Sequence, residues 1–229
     1  MEGSNAKVDS VYSSHASVEL NVKVSKSYAV LKRAFDVFGA SCGLIVTFPL
    51  FILIACLYMI GESKGPIFFK QVRIGKNGEK FHIYKFRSMI INADEKLKQN
   101  TELYKKYIEN SYKLEPHEDP RITRIGRFLR KTSLDELPQL INVLKGEMSL
   151  VGPRPVVEEE LIEYKEKKAI FLAVKPGLTG FWQVSGRSSV GYPERVELEL
   201  YYVYNQSFIF DLQIIWKTIW SVLLKKGAY

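Results

Sequence analysis

Residues 132–155 read TSLDELPQLINVLKGEMSLVGPRP, and this stretch decides how the rest of the chain is interpreted. It places two adjacent carboxylates, Asp135 and Glu136, at a predicted helix start, because Ser133 and Glu136 have the spacing of a capping box. A carboxylate in the first turn of a helix lies at the positive end of the helix dipole, which favours its ionised form. We therefore expect Asp135 to be available to attack phosphorus or to bind a cation, and Glu136 to bind metal or move a proton.

Arginines flank this stretch on both sides. Upstream, one recurs at every third position: Arg121, Arg124, Arg127 and Arg130. Downstream, Arg154 stands between two prolines in a stiff turn. Guanidinium groups match phosphate oxygens in pairs, so this crowding indicates a site that handles phosphate. The alternatives are that the acids only cap a helix, that the arginine row is a solvated face or a patch for anionic lipid, and that the proline turn only ends a helix.

Composition narrows the class of protein. A chain of 229 residues holds one sizeable domain, and its net charge of +8 suits nucleic acid, nucleotide phosphate or a membrane surface. Both cysteines, Cys42 and Cys56, lie in an apolar run, so the sequence predicts packing roles and no disulfide framework. Residues 1–27 lack the continuous apolar core of a secretory signal, and we predict a loosely ordered tail there.

An uncharged run at residues 37–60 exceeds the roughly 20 residues that a helix needs to cross a bilayer core. Lysine and arginine lie on both sides of this run, which favours a cytoplasmic position for both ends. Pro49, near its middle, removes one backbone hydrogen bond and is expected to kink the helix. We therefore predict a re-entrant membrane helix over residues 28–62. A single-pass anchor and a buried core helix are the alternatives.

Two further stretches predict local structure beyond the membrane segment. Residues 66–89 contain two β-rich runs around an Asn-Gly pair, which predicts a hairpin. Its basic residues either approach a nucleotide or lipid head groups or are solvated strand charges: Lys70, Arg73, Lys85 and Arg87. Residues 176–187 read PGLTGFWQVSGR, a Gly-rich segment that is either a structural turn or a loop whose Trp182 and Arg187 contact a base or a phosphate.

The C-terminal part predicts two helices, over residues 194–205 and 208–226. The second places Trp216 and Trp220 one turn apart among bulky aliphatic residues. That pattern is typical of a helix lying in a membrane interface, with tryptophans at head-group depth. It also suits an amphipathic helix that closes a soluble core.

Five motifs occur in order along the chain. They are Lys32, Arg33, Phe35 and Asp36, then KFRSM at 85–89, DPR at 119–121, LRKTSLDELPQLINVLKGEMSLVGPRP at 129–155 and PGLTGFWQVSGR at 176–187. Together they resemble the bacterial sugar transferases, the monotopic polyprenyl-phosphate phosphoglycosyl transferases. The resemblance runs from about residue 28 to the end, and the chain is similar to the short, catalytic form of the family.

The resemblance implies an enzyme that moves a hexose 1-phosphate, of galactose or glucose, from a UDP-sugar to undecaprenyl phosphate and releases UMP. It implies that Asp135 forms a covalent phosphosugar intermediate, with Glu136 as its partner and both carboxylates as ligands of Mg²⁺. This transfer would be the first step in the synthesis of an exopolysaccharide, capsule or O-antigen repeat unit. The residues assigned to donor phosphates are Arg154, Arg130, Arg121 and Arg187.

The expected fold is therefore an α+β, membrane-associated (monotopic) one. It combines a re-entrant membrane helix, a β-hairpin and a helical catalytic domain over residues 63–229 with interfacial amphipathic helices. The expected place is the cytoplasmic face of the bacterial inner membrane, in contact with membrane lipid and without a nucleic-acid partner. The sequence leaves the sugar, the polymer and any homo-oligomer open. Two other classes compete, a non-catalytic scaffold for polysaccharide assembly and a basic nucleic-acid binder whose affinity falls with salt.

Overall fold

The computed structural model describes residues 25–59, 64–109, 114, 118–186 and 190–224. The tail predicted over residues 1–27 lies almost entirely outside this part of the chain, and Arg187 lies outside it too. The described helices are α1 (Lys26–Leu57), α2 (Ala93–Gln99), α3 (Thr101–Glu109), α4 (Arg124–Lys131), α5 (Gln139–Lys145), α6 (Lys168–Phe171), α7 (Phe181–Ser185), α8 (Glu194–Asn205) and α9 (Phe208–Leu223). The strands are β1 (Phe68–Ile74), β2 (Lys80–Phe86), β3 (Ser149–Val151) and β4 (Gly177–Thr179). This is an α+β fold, as predicted, and its two small sheets are the predicted hairpin and a parallel pair that was not predicted.

Helix α1 is a single helix that continues through Pro49 and is long and apolar enough to cross a membrane. One face packs closely on the rest of the protein, because a Cβ at Gly39 would lie 2.7 Å from Leu150 Cδ1. The opposite face exposes large apolar side chains: Val37, Phe38, Ile45, Val46, Phe48, Ile52 and Leu53. Cys42 and Cys56 are also exposed, so the prediction that they are packing residues is wrong. Their helical spacing puts them on this outward face.

Both ends of α1 are attached to the same body of protein. At the amino-terminal end the contacts are Lys32 Nζ to Asp211 Oδ2 at 2.7 Å, Arg33 to the carbonyls of Val143 and Leu144 at 2.7 Å each, and Ser149 Oγ to Asp36 Oδ1 at 2.9 Å. At the other end, the Tyr58 hydroxyl donates to the carbonyl of Arg87, whose guanidinium lies 5.2 Å from the Tyr58 ring centroid. The helix therefore lies along the domain instead of leaving it.

The predicted hairpin is confirmed. Strands β1 and β2 are antiparallel, with Phe68 opposite Phe86 and Ile74 opposite Lys80. The turn uses the Asn-Gly pair as expected, with φ of 58° at Asn77 and 83° at Gly78. Helix α5 is tied to β2 by the amide of one residue that imitates a strand partner. Asn142 accepts from the Tyr84 backbone N–H at 3.0 Å and donates to the His82 carbonyl at 2.7 Å.

The second sheet joins the Pro-Arg-Pro turn to the Gly-rich segment. Strands β3 and β4 are parallel, with Ser149 opposite Gly177 and Val151 opposite Thr179. A Cβ at Gly177 would lie 2.1 Å from the Gly152 nitrogen, so only glycine permits this approach of the two backbones. The Gly-rich segment is therefore a structural element in part. It forms β4 and α7 and carries Trp182 beside the proline turn.

The two predicted C-terminal helices are present as α8 and α9. Helix α8 has the predicted bounds, and α9 begins at the predicted residue and is described as far as Leu223. Helix α9 buries Ile214 and Asp211 against the domain. Its outward face carries Ile209, Leu212, Trp216, Ile219 and Trp220, all exposed. The exposed face is thus apolar, and the charged Asp211 is inside.

Candidate active site

The two carboxylates lie in a turn between α4 and α5. The predicted capping box is wrong, because Ser133 has a left-handed backbone, with φ of 56°, and its side chain caps nothing. Residues Leu134–Glu136 form one 3₁₀ turn, and α5 begins only at Gln139, after Pro138. A left-handed residue ends the run from α4, and proline favours the start of the next helix. The acids therefore occupy a rigid connector and not the first turn of α5.

The environment of Asp135 is buried and crowded with charge. Its side chain is only 9% exposed. Burial raises the pKa of Asp135 to about 6, and the negative charge of Glu136 acts in the same direction, while Lys85 and Arg130 lower it. The helix dipole is expected to favour the ionised form of Asp135, whereas burial acts in the opposite direction and raises the pKa. Loss of hydration outweighs the nearby positive charges.

Glu136 is held by an ion pair from the hairpin. Lys85 Nζ lies 2.8 Å from Glu136 Oε1, and both side chains are mostly shielded from solvent. Lys85 comes from β2, which α5 fixes through Asn142, so the hairpin and the acidic turn are positioned by the same contacts. A charge-assisted bond of this kind orients the glutamate and brings a cation close to Asp135.

The arginines of the upstream row separate in the structure. Arg130 is the one whose charge lowers the pKa of Asp135, and its Nε donates to Ser88 Oγ at 2.8 Å. Arg121 is buried and forms two 2.8 Å bonds with the Asp119 carboxylate, so its guanidinium is engaged within its own motif. Arg124 and Arg127 are exposed on α4. Among these four, Arg130 has the position that suits a role beside Asp135.

A cleft opens beside the acidic turn and collects residues from both sheets. Its walls are formed by Arg73, Ile83, Lys85, Glu136, Gln139, Arg154, Pro155, Gly177, Leu178 and Gln183. Of the residues singled out from the sequence as a catalytic or phosphate site, Glu136 and Arg154 line this cleft together. The Arg154 guanidinium lies 5.9 Å from the centroid of the Trp182 ring, so Trp182 supports the arginine from behind.

Sequence reasoning missed two glutamines of this cleft, and it listed Arg73 and Lys85 only as general hairpin charges. Gln139 is buried directly after the proline that precedes α5, and Gln183 follows Trp182 in the Gly-rich segment. The available signal was a polar side chain inside an otherwise apolar stretch in each case. Amides at these places add donors and acceptors to a cleft otherwise made of charges.

The residues present can accommodate a divalent cation only with help from a ligand. In the described part of the chain, no group of three or more His, Cys, Asp or Glu side chains could hold a metal ion. Two adjacent carboxylates suit Mg²⁺, which is commonly bound by one or two carboxylates together with substrate phosphates and water. Burial, and with it the charge of Glu136, raises the pKa of Asp135, so a bound cation would favour its ionised form. The pair Asp135 and Glu136 therefore fits the ion.

Comparison with known proteins agrees with the motifs. Residues 27–225 match the family described as bacterial sugar transferase. The chain belongs to the bacterial sugar transferase family. The matched region includes the acidic turn, the proline turn and the whole cleft.

The chain covers different fractions of its named relatives. The chain is 46% identical over 202 residues to the exopolysaccharide production protein ExoY of Rhizobium meliloti (strain 1021), covering 86% of this chain and 88% of that protein. It is 46% identical over 212 residues to an undecaprenyl-phosphate galactose phosphotransferase of Salmonella typhimurium, covering 91% of this chain and 44% of that protein. For the galactosyl transferase CpsE of Streptococcus agalactiae serotype III the identity is 43% over 203 residues, covering 88% of this chain and 44% of the relative. The chain thus spans less than half the length of the last two.

Proposed function

We propose that this bacterial sugar transferase is a phosphoglycosyl transferase that moves a hexose 1-phosphate, of galactose or glucose, from a UDP-sugar to undecaprenyl phosphate. UMP is released, and the product begins a repeat unit of exopolysaccharide, capsule or O-antigen. The observation that carries the proposal is a shielded Asp-Glu pair beside a cleft lined by Arg73, Lys85 and Arg154. The name of the Salmonella relative, an undecaprenyl-phosphate galactose phosphotransferase, supports the transfer reaction, and the name of the Rhizobium relative supports a place in exopolysaccharide production.

The reaction proceeds in two displacements at the same phosphorus. An oxygen of the Asp135 carboxylate attacks the phosphorus that bears the sugar, and the bond from that phosphorus to the bridging oxygen breaks, so UMP leaves with the electron pair. An oxygen of undecaprenyl phosphate then attacks the same phosphorus and breaks the bond to Asp135, which regenerates the carboxylate. Covalent catalysis of this type lets a soluble donor and a lipid acceptor use one site in turn.

The surroundings of Asp135 suit this role. A carboxylate with little water around it loses little hydration when it attacks, and Lys85 and Arg130 keep part of its population ionised. Glu136 stays oriented by its ion pair with Lys85. Arg154 lies on the wall of the cleft with its guanidinium near Trp182, where it can bind a phosphate of the donor.

Mg²⁺ is the proposed cofactor, with Asp135 and Glu136 as its protein ligands. When bound, the ion would neutralise the pyrophosphate that a carboxylate has to approach. The protein's own part is to keep both carboxylates side by side in the turn that lies between Ser133 and Pro138.

The proposed location is the cytoplasmic face of the bacterial inner membrane, with α1 re-entrant in the lipid. Support comes from the attachment of both ends of α1 to one domain, because a helix that crossed the bilayer would carry its far end away from that domain. Exposed apolar side chains on α1 and α9, including Trp216 and Trp220, supply the surface for lipid.

Transfer itself is tested with membranes that contain the protein, a UDP-hexose labelled in the sugar and undecaprenyl phosphate. We expect Mg²⁺-dependent label in the lipid fraction and release of UMP, and neither from Asp135→Asn. Asp94→Asn serves as the control, since Asp94 is 94% exposed on α2. Transfer that survives Asp135→Asn would reject the mechanism and favour another nucleophile. Absence of transfer with every UDP-hexose would favour a scaffold.

Topology is tested by thiol labelling after Cys42 and Cys56 are replaced by serine. New cysteines are placed at Val30, near the start of α1, and at Lys64, beyond its end, and both positions are exposed. A re-entrant helix predicts that an impermeant reagent labels both from the cytoplasmic side. Labelling from opposite sides would show a spanning helix.

A further inference from the structure

Arg73 is the least explained charge of the cleft. It projects from β1, and its contacts are Nη2 to Gln71 Oε1 at 2.7 Å, Nη1 to the Pro155 carbonyl at 3.2 Å and Nη1 to Glu160 Oε1 at 3.3 Å. Its Nε is buried and has no hydrogen-bond partner among the described residues. A buried donor without an acceptor is costly, so the side chain is prepared for an acceptor that the protein itself does not provide.

Glu160 only partly compensates the Arg73 charge. The same carboxylate also accepts from Arg195 Nη1 at 3.2 Å, from the Tyr192 hydroxyl at 3.0 Å and from the Val157 backbone N–H at 3.3 Å, so it is shared among four donors. Burial, followed by repulsion from Arg154, lowers the pKa of Arg73 to about 10. The repulsion indicates that Arg73 and Arg154 are near neighbours. An anion bound between them would relieve it.

The position within the cleft suggests which anion fits. Lys85 lies on the side of the acidic turn, where it pairs with Glu136 and lowers the pKa of Asp135. Arg73 and Arg154 line the cleft together with the Pro155 segment and are adjacent through that segment. A diphosphate or a pair of phosphates would therefore meet Lys85 at one group and the two arginines at the other.

We propose that Arg73 and Arg154 form a phosphate-binding wall that holds the phosphate group not bonded to Asp135. This inference rests on the proposed function. The shared chemistry is a phosphate monoester or diester anion, and it has two sources, the UMP portion of the donor and the head group of undecaprenyl phosphate. Arginine suits the task because its planar group offers several donors at once, of which Nε is the one left unused.

A purely structural role for Arg73 makes a different prediction. If the residue only tied β1 to Glu160, loss of either partner would have the same effect. If it binds phosphate, loss of the Glu160 charge makes the wall more positive and does not weaken binding of the anion. The pair Arg73→Gln and Glu160→Gln therefore separates the two roles.

The test measures UMP and uridine binding by calorimetry with the full-length protein in detergent or lipid discs. We expect Arg73→Gln to raise the dissociation constant for UMP about tenfold or more, as expected for a lost charge-assisted bond, and to leave uridine within about threefold. Arg73→Lys should recover part of the loss, and it also serves if Arg73→Gln does not fold. Glu160→Gln should stay within about threefold of wild type or bind UMP more tightly.

Lys80→Gln is the matched control, since it removes a cation from the same hairpin whose ion pair with Glu158 is exposed. Initial rates as a function of undecaprenyl phosphate distinguish the second source. If that lipid alone is the occupant, UMP binding and adduct formation stay normal in Arg73→Gln and the KM for the lipid rises about tenfold.

The proposed phosphate-binding wall is contradicted if Arg73→Gln changes neither UMP affinity nor the KM for the lipid. It is also contradicted if Glu160→Gln weakens UMP binding as much as Arg73→Gln does. These results leave the proposed function intact when wild type still forms its phosphosugar adduct. A wild-type protein that binds no UMP and forms no adduct would overturn both proposals together.

Discussion

The outward face of α1 and the cleft beside Asp135 invert the usual arrangement of a soluble domain. On α1 the apolar side chains point outward, with Val46 77% exposed, while around the cleft the charged groups are shielded, with Asp135 9% exposed. Water would be a poor environment for the first, and the side chains of the second are largely shielded from it. We therefore expect each region to need a different surrounding, lipid for α1 and a charged ligand for the cleft.

Replacement of the buried carboxylate gives the largest expected effect. Asp135→Asn should lower turnover at least about a thousandfold, because the attacking oxygen is lost. The same change should raise the thermal unfolding temperature at pH 8. Asp135 has a pKa of about 6 in the fold, above its ordinary value, so the stability that its protonated form contributes is lost as pH rises through 6.

That stabilisation should shrink as the pH falls from 6 toward the ordinary pKa of an aspartate, since wild type becomes protonated as well. Unfolding scans of wild type and Asp135→Asn between pH 4 and pH 8 measure it. A variant that is less stable than wild type at pH 8 would mean that burial does not disfavour the ionised carboxylate.

A charge placed on the outward face of α1 should have the next largest effect. Val46→Lys should lower the partition coefficient of the protein into membranes about a hundredfold, which follows from the free-energy cost of a lysine at the centre of a membrane helix. Ile162→Lys is the matched control, because Ile162 lies between β3 and α6, away from α1 in the sequence, and is 76% exposed. Flotation of membranes on a density gradient compares them. Equal behaviour of the two variants would show that α1 does not face lipid.

The pH dependence of adduct formation sharpens the account of the cleft. With donor alone, the rate should fall about tenfold per unit below pH 6, as Asp135 becomes protonated. Lys85→Met should move this limb to higher pH, because it removes a positive charge that lowers the pKa of Asp135. Glu136→Gln should move it to lower pH, because it removes a negative charge that raises this pKa. Rapid-quench measurement of UMP release gives the limbs, and shifts in the same direction would contradict the assignment.

The smallest effect concerns α9. Trp216→Ala should weaken binding to vesicles that contain anionic lipid by about fivefold, since part of one large apolar side chain no longer enters the interface. Its unfolding temperature should hardly change, because the Trp216 side chain is mostly exposed. Ile162→Ala is the control in the same sedimentation assay. A large loss of stability would place Trp216 in a core contact instead.

Local signals in the sequence predicted most of the elements on which both regions are built, but not the short parallel strands β3 and β4. The long uncharged run predicted α1, the Asn-Gly pair predicted the hairpin, and the block around Asp135 predicted an acidic pair at a helix start between arginines. The capping-box error arose locally too, because Ser133 adopts a left-handed conformation that its sequence spacing does not reveal.

The environment of the site could not be predicted, because it is assembled from distant residues. Lys85 reaches Glu136 across 51 residues of sequence, and Arg73 reaches Glu160 across 87. Burial of Asp135 depends on how the hairpin, α4 and α5 pack together, and this burial raises the pKa that a helix start would lower. Spacing along the chain carries no record of such contacts.

The most direct test maps the covalent adduct. Wild-type protein is incubated with UDP-hexose and Mg²⁺ without acceptor, quenched in acid, digested and examined by mass spectrometry, with release of UMP followed in parallel. The account predicts one hexose phosphate per chain on the peptide that contains Asp135, together with an equal amount of UMP. An adduct on another residue, or turnover without any adduct, would contradict it.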